Sequence, residues 1–167
     1  IDETMDAFEL LTQADNLGSI MKFDLSESPR SQMQIRIKEW HEHVNNNIEI
    51  SEIINSIELI LALSDKYSCV VANPPYMGSG NMNDSLKVYI NSHFELGKAD
   101  LFAVFMFQSM FLLSINGKIG MINMQSWMFL ASFEELRAMF IREYKFDSIL
   151  HLGPRTFDEL SGDVVQN

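Results

Sequence analysis

The residues best equipped for chemistry are Asn73, Pro74, Pro75 and Tyr76, which follow directly on the apolar run Cys69-Val70-Val71-Ala72. Two successive prolines fix two φ angles and remove two backbone N–H donors. What remains is acceptor character, the side-chain oxygen of Asn73 and the carbonyl of Pro74, beside the flat ring of Tyr76. That set suits an exocyclic –NH2 group on a planar base. Such an amine is a poor nucleophile because its lone pair is delocalised into the ring. Accepting both of its N–H bonds favours a pyramidal nitrogen with its lone pair aimed at an electrophile, and this preorganisation needs no strong base at the start. Stacking of a base on Tyr76 would contribute about 1–3 kcal/mol, and a base in a duplex must first be flipped out. A rigid Pro-rich turn is the plain alternative. The position at a strand end, ahead of a loop rich in Asn, Gly and Ser, favours a site.

The elements that must position these residues are legible in outline. "YSCVVA", residues 67–72, is a continuous apolar run, as expected of a central parallel strand covered on both faces. In open parallel sheets ligands bind beyond the carboxyl ends of the strands, which is where residues 73–76 fall. Upstream, residues 2–13 suit a helix or a strand, and "GSIMKFDL" reads as a short extended stretch. Ser28-Pro29 resembles an N-cap followed by Pro at the first helical position. The helix it opens carries Met33, Ile37, Trp40 and Val44 at helical spacing and breaks at Asn45-Asn46-Asn47, a helix–helix turn or hinge. A second helix covers about 51–63, with Ile53, Ile54, Ile57 and Leu61 as its apolar face. Downstream, the reading gives a loop over 73–84, helices over 86–95 and 98–115, an end at Asn116-Gly117, and a strand "KIGMINM". Then comes a helix from Ser132, with Glu135 completing a capping-box pattern. "FDSILHL" is a further strand and "GDVVQ" begins another. Strands alternating with helices predict an α/β fold with a mostly parallel sheet flanked by helices. No domain boundary, internal repeat or low-complexity segment is evident.

Composition bounds the rest. The 167 residues are enough for one domain with a sizeable core, and a 47% hydrophobic fraction is too high for disorder. The first residue is Ile1 and the last residues, Gln166 and Asn167, lie in an extended-looking segment, so the chain reads as an excised piece of a longer protein. No signal peptide is visible. The apolar run from Leu101 to Ile115 is short for a membrane span and suits a buried helix. The single cysteine, Cys69, excludes an internal disulfide, suits a reducing cytoplasm, and reads as a small buried hydrophobe. Eleven methionines suit the filling of core gaps. A net charge of −11 argues against strong nucleic-acid binding by this chain alone, because phosphate neutralisation needs Lys and Arg.

Other chemistry-bearing residues are weaker candidates. His41 and His43 are two apart on a helix, so they diverge and make a poor metal pair. "KEWHEH" lacks the four-residue His spacing of a zinc protease. His93 and His151 are isolated, and no metal site is expected. Gly78-Ser79-Gly80 follows the tetrapeptide and has neither a dinucleotide-binding nor a P-loop pattern.

"NPPY" after an apolar strand resembles the signature of S-adenosylmethionine-dependent amino-methyltransferases. The longer text "NPPYMGSGNMN", "GKADLFAVFM" and "GKIGMINMQSWMF" is similar to the adenine-specific DNA methyltransferases of bacteriophage-exclusion systems. Those are large proteins related to single-chain restriction–modification enzymes. The resemblance covers nearly the whole chain and is strongest over 67–155. It implies a partial Rossmann-like class I methyltransferase fold lacking its first strands, with 1–167 forming the C-terminal part of a catalytic domain. It further implies S-adenosylmethionine as cofactor and double-stranded DNA with a flipped adenine as partner, with other defence-system subunits as possible partners and no membrane. Asn73 and the Pro74 carbonyl would hold the target N6, Pro75 would stiffen the loop, and Tyr76 would stack on the adenine. On the cofactor side, Asp15 in "ADNLGS" would contact the cofactor adenine, and Asn73 and Asp100 would border the pocket. Asp100 reads equally well as a helix-start charge. Trp127 and Phe129 lie near the pocket or in the core. The family's Gly-rich cofactor loop is expected ahead of Ile1, and its second stacking aromatic just beyond the strand begun by "GDVVQN", so the isolated chain is expected to bind cofactor weakly and to be inactive. The same tetrapeptide serves enzymes that methylate a release-factor glutamine or guanine N2 in RNA. A catalytically idle recognition or assembly module is the third reading.

Overall fold

A computed structural model describes residues 2–42 and 48–153. The chain divides into two compact units, Ile1–Tyr67 and Ser68–Asn167. Val44, His43, the Asn45–Asn47 break and the expected strand "GDVVQ" lie outside the described residues.

The first unit is helical. The ambiguous N-terminal stretch is a helix, α1 (Glu3–Leu11), capped by Asp2, whose carboxylate accepts from Thr4 N at 3.1 Å. A short α2 (Ala14–Leu17) runs into a 3-10 turn over Gly18–Ile20, where Gly18 takes φ +53°. So "GSIMKFDL" is extended only in its second half. Helix α3 (Glu27–His41) starts two residues earlier than Ser28-Pro29 suggests. Ser26 is the N-cap residue, and Pro29 sits third in the helix, where an absent N–H still costs nothing. Helix α4 (Ile48–Ser64) packs against α1 and α3 and buries Ile54, Ile57, Ile60, Leu61 and Leu63. Ile53, expected on that face, is exposed, and Ile60 takes its place. Arg30 on α3 ties the two helices together by an ion pair to Asp65 and by donating to the Ser64 carbonyl at 2.8 Å.

The second unit is α/β, with a two-stranded parallel sheet flanked by helices. Strand β1 (Tyr67–Ala72) leads through a long loop to α5 (Asp84–His93), then α6 (Leu101–Phe111), then β2 (Leu113–Met121) beside β1. Helix α5 is capped by Asn83, whose Oδ1 accepts from Leu86 N at 2.9 Å. Helix α6 is buried nearly all round, as a helix apolar on every face must be. It is shorter than expected, because the chain passes into β2 four residues after Gln108-Ser109. Asn116, at φ +64°, therefore lies inside the strand and bends it instead of ending a helix. A short α7 (Ser126–Phe129) and a 3-10 turn (Ala131–Phe133) precede α8 (Glu134–Glu143). Ser132 does not cap α8, and no side chain does. Phe133 is instead buried against Phe102, at a ring separation of 5.4 Å, and this sets the helix entry. Arg137 anchors the approach by donating to the Trp127 and Leu130 carbonyls at 2.7 and 2.6 Å.

The core of this unit joins Phe102, Ala103 and Met106 of α6 to Phe133, Leu136 and Phe140. Met110, Met121, Met124 and Met139 fill its margins, the role expected of flexible side chains. Two expectations fail. Residues 146–152 form no strand, and Ile149, Leu150 and Leu152 are exposed. Among the described residues they are paired to no strand, and an apolar run without a ladder partner leaves a strand's backbone unsatisfied. Strand β1 is not covered on both faces either: Cys69 and Val71 are exposed, since two strands alone leave surface open.

Candidate functional site

The end of β1 is fixed by its neighbour. Ile122 N donates to Ala72 O at 3.2 Å, so the strand pairing continues up to the residue before Asn73. Beyond it the chain cannot continue as a paired strand, because Pro74 and Pro75 have no N–H to donate. Asn73 is exposed, Pro74 is buried, Pro75 is exposed and Tyr76 is half-buried. Buried Pro74 is the fulcrum that turns the chain and leaves the Asn73 amide facing solvent. The Asn73 side chain makes no hydrogen bond among the described residues, and its acceptor and donor are both available.

Tyr76 is held at its edges. Its ring meets Phe102 edge-on, with centroids 6.3 Å apart and planes at 83°. Its hydroxyl donates to the Ile122 carbonyl over 3.5 Å, a long and weak contact. Partial burial raises the phenol pKa above its ordinary value, so the ring is a neutral platform across the physiological range.

The loop's exit is tied to the start of α6. Asp100, the α6 N-cap residue, accepts through Oδ1 from Phe102 N at 3.2 Å and from Met77 N at 3.0 Å. Two backbone bonds run alongside, Leu101 N to Met77 O at 2.9 Å and Ser79 N to Ala99 O at 3.0 Å. They form an isolated antiparallel bridge between Gly78 and Asp100. Asp100 is thus brought next to the tetrapeptide, as a helix-start carboxylate. Asp15 belongs to the first unit, where it lies exposed in the first turn of α2.

Sequence reasoning passed over two residues here. Phe102 buttresses Tyr76, and its only signal was the apolar start of "DLFAVF". Asn123 lies two residues beyond the end of β2, as Asn73 lies directly beyond β1, and its Oδ1 is buried with no partner among the described residues. Trp127 belongs to the core margin, while Phe129 is exposed. A groove of about 1090 Å³ lies behind the loop, lined by Ser79, Gly80, Met82, Ile90, Lys98 and Ala131 among others, and does not include the tetrapeptide. His93 stacks on Tyr89 at 4.2 Å and is structural. Among the described residues no three His, Cys, Asp or Glu are grouped to hold a metal, and no helix is long and apolar enough to cross a membrane.

Residues 6–157 match the family described as Eco57I restriction-modification methylase. The chain belongs to that family. Two curated relatives agree with the assignment to the Eco57I methylases. The chain is 37% identical over 166 residues, 97% of its length, to the adenine-specific methyltransferase BrxX of Escherichia coli O9:H4 (strain HS). It is 38% identical over 160 residues, 90% of its length, to the adenine-specific methyltransferase PglX of Lacticaseibacillus casei (strain Zhang). It spans only 14% and 13% of those two relatives. The family match covers both the tetrapeptide and the Asp100 tie.

Proposed function

We propose that this chain is part of the catalytic domain of an S-adenosylmethionine-dependent methyltransferase that modifies adenine N6 in DNA, acting in phage defence in the bacterial cytoplasm. The single observation that carries this reading is the exposed Asn73 amide at the carboxyl end of a parallel strand, followed by buried Pro74 and an edge-held Tyr76, in a member of a methylase family. The names of both relatives favour adenine over a release-factor glutamine or an RNA guanine, which the same tetrapeptide would also grip. The α/β organisation of the second unit is compatible with a class I methyltransferase fold.

In this reading Asn73 Oδ1 and the Pro74 carbonyl accept the two N–H bonds of a flipped adenine, and Tyr76 stacks on its ring. Pro75 restricts the backbone between them. S-adenosylmethionine, when bound, supplies an electrophilic methyl group. Asn73, Asp15 and Asp100 are the residues assigned to its side of the site. Within the second unit Asn73 fits that role, being an exposed polar group with capacity to spare, whereas Asp100 Oδ1 is already engaged by two amides. Double-stranded DNA is the partner, gripped mainly by other parts of the full-length protein. The 167-residue chain alone is inactive in this reading.

Asn73→Ala in the full-length protein is expected to abolish methyl transfer to DNA without unfolding it. A transfer assay with radiolabelled methyl donor, offering DNA, RNA and release factor in parallel, tests both the residue and the acceptor. Full activity of the variant would refute the role of Asn73. Transfer to RNA or release factor alone would move the enzyme to another acceptor class.

A further inference from the structure

We propose that Asp100 is a positioning residue that holds the acceptor-gripping loop in its working shape, an inference that rests on the reading of residues 73–76 given above. One carboxylate oxygen accepts from two backbone N–H groups that belong to different segments. Phe102 N is two residues away at the start of α6, and Met77 N is 23 residues away at the exit of the loop. The paired bonds Leu101 N to Met77 O and Ser79 N to Ala99 O keep the two strands of chain in register around it. The entrance of the loop is held independently by Ile122 N and Ala72 O. Between these two fixed points lie only Asn73, Pro74, Pro75 and Tyr76, and two of the four have φ locked by their rings.

The same helix start carries Phe102, which is 1% exposed and meets the Tyr76 ring edge-on. Asp100 therefore couples the backbone of the loop to the helix that braces its ring. An ionised acceptor makes the stronger kind of hydrogen bond to both amides, and a negative charge at a helix N-terminus is favoured by the helix dipole. Catalysis by preorganised acceptors requires that they not relax toward the ground-state amine, and a clamp on the loop's exit supplies that rigidity.

Three substitutions in the full-length protein separate this role from a direct contact with the cofactor. Asp100→Asn keeps an oxygen acceptor at the same place and is as good a helix N-cap. Asp100→Ser keeps a cap for Phe102 but is one atom shorter toward Met77. Asp100→Ala removes both bonds. Hydrogen exchange of the peptide containing Met77 is expected to accelerate at least about tenfold in the Ser and Ala variants and to stay near wild type in the Asn variant. kcat for DNA methylation is expected to fall by roughly 10²-fold in the Ser and Ala variants, as it does when acceptors are misplaced, while affinity for S-adenosylmethionine by calorimetry changes little. Recovery of both protection and kcat by Asn supports the clamp. Loss of cofactor affinity in the Asn variant with Met77 still protected would overturn it in favour of a charge contact to the cofactor. Unchanged Met77 exchange in the Ser variant would overturn it outright, and this arm stands even if the Ala variant fails to fold. Wild-type protection of Met77 in a protein that methylates none of DNA, RNA or release factor would leave the clamp but refute its role in the reaction.

Discussion

Tyr76 is the residue where packing and chemistry are easiest to separate. Its ring is braced edge-on by Phe102, and its hydroxyl makes a long 3.5 Å contact with the Ile122 carbonyl. Stacking on a base needs the ring and not that long contact. Tyr76→Phe is expected to retain most methyl-transfer activity. Tyr76→Ala should cost about 1–3 kcal/mol of acceptor binding, the worth of one stacked base, read as a rise in KM for DNA. Equal losses in both variants would show that the phenol itself takes part. The phenol also makes a pH prediction. Burial raises its pKa above the ordinary value, so the folded state holds the proton more tightly than the unfolded state. Its contribution to stability is present below about pH 10 and is lost as pH rises through the folded-state pKa. The difference between the ultraviolet titrations of wild type and Tyr76→Phe should place the Tyr76 midpoint above about 10. A midpoint at or below that value would mean that the ring is not packed as described.

At the scale of elements, what was legible in the sequence was local. The presence of helices near 86 and 98 was legible, but their starts lie at Asp84 and Leu101, where Asn83 and Asp100 cap them through bonds three and two positions away. The tetrapeptide is legible for the same reason, because its acceptors and its two locked φ angles come from its own residues, whereas the bonds that hold its exit do not. The end of α6 was not legible, since residues 101–115 are apolar without a clear period and the change to strand at Leu113 carries no breaker, while Asn116, which looks like one, lies inside β2. Residues 146–152 are apolar enough to read as a strand but are paired to none among the described residues. The tie between Met77 and Asp100 spans 23 positions and has no sequence pattern at all. The packing beneath that tie is testable. Gly97 precedes α6 with so little room that an added Cβ would lie 3.1 Å from Ala103 C and Val104 N. These are backbone atoms of a buried helix and cannot yield as a side-chain tip would. Gly97→Ala is expected to destabilise the second unit by about 1–3 kcal/mol, the usual cost of overpacking. Hydrogen exchange across α6 measures it, and unchanged protection would mean that the turn before α6 relaxes freely.

At the scale of the whole molecule the charge bears on how the proposed DNA substrate would be held. A chain at −11 repels phosphate on average, and its lysines are few. Two of them, Lys118 and Lys145, face Asp147, which holds Lys118 in an ion pair and lies 3.7 Å from Lys145. Lys118 lowers the Asp147 pKa chiefly through that hydrogen bond and then through its charge, so the carboxylate stays ionised at neutral pH and keeps both lysines partly neutralised. Cations engaged in this way release few counterions when DNA arrives. Each phosphate contact contributes about 0.9 to the slope of log affinity against log salt on duplex DNA. Replacing Lys118 and Lys145 together with Ala in the full-length protein is therefore expected to leave that slope unchanged, whereas two true phosphate contacts would reduce it by about 1.8. A fall of that size would place the DNA backbone across β2 and the segment after α8. An unchanged slope fits a division of labour in which this acidic region presents a small set of acceptors to one base, while basic regions elsewhere in the protein hold the duplex.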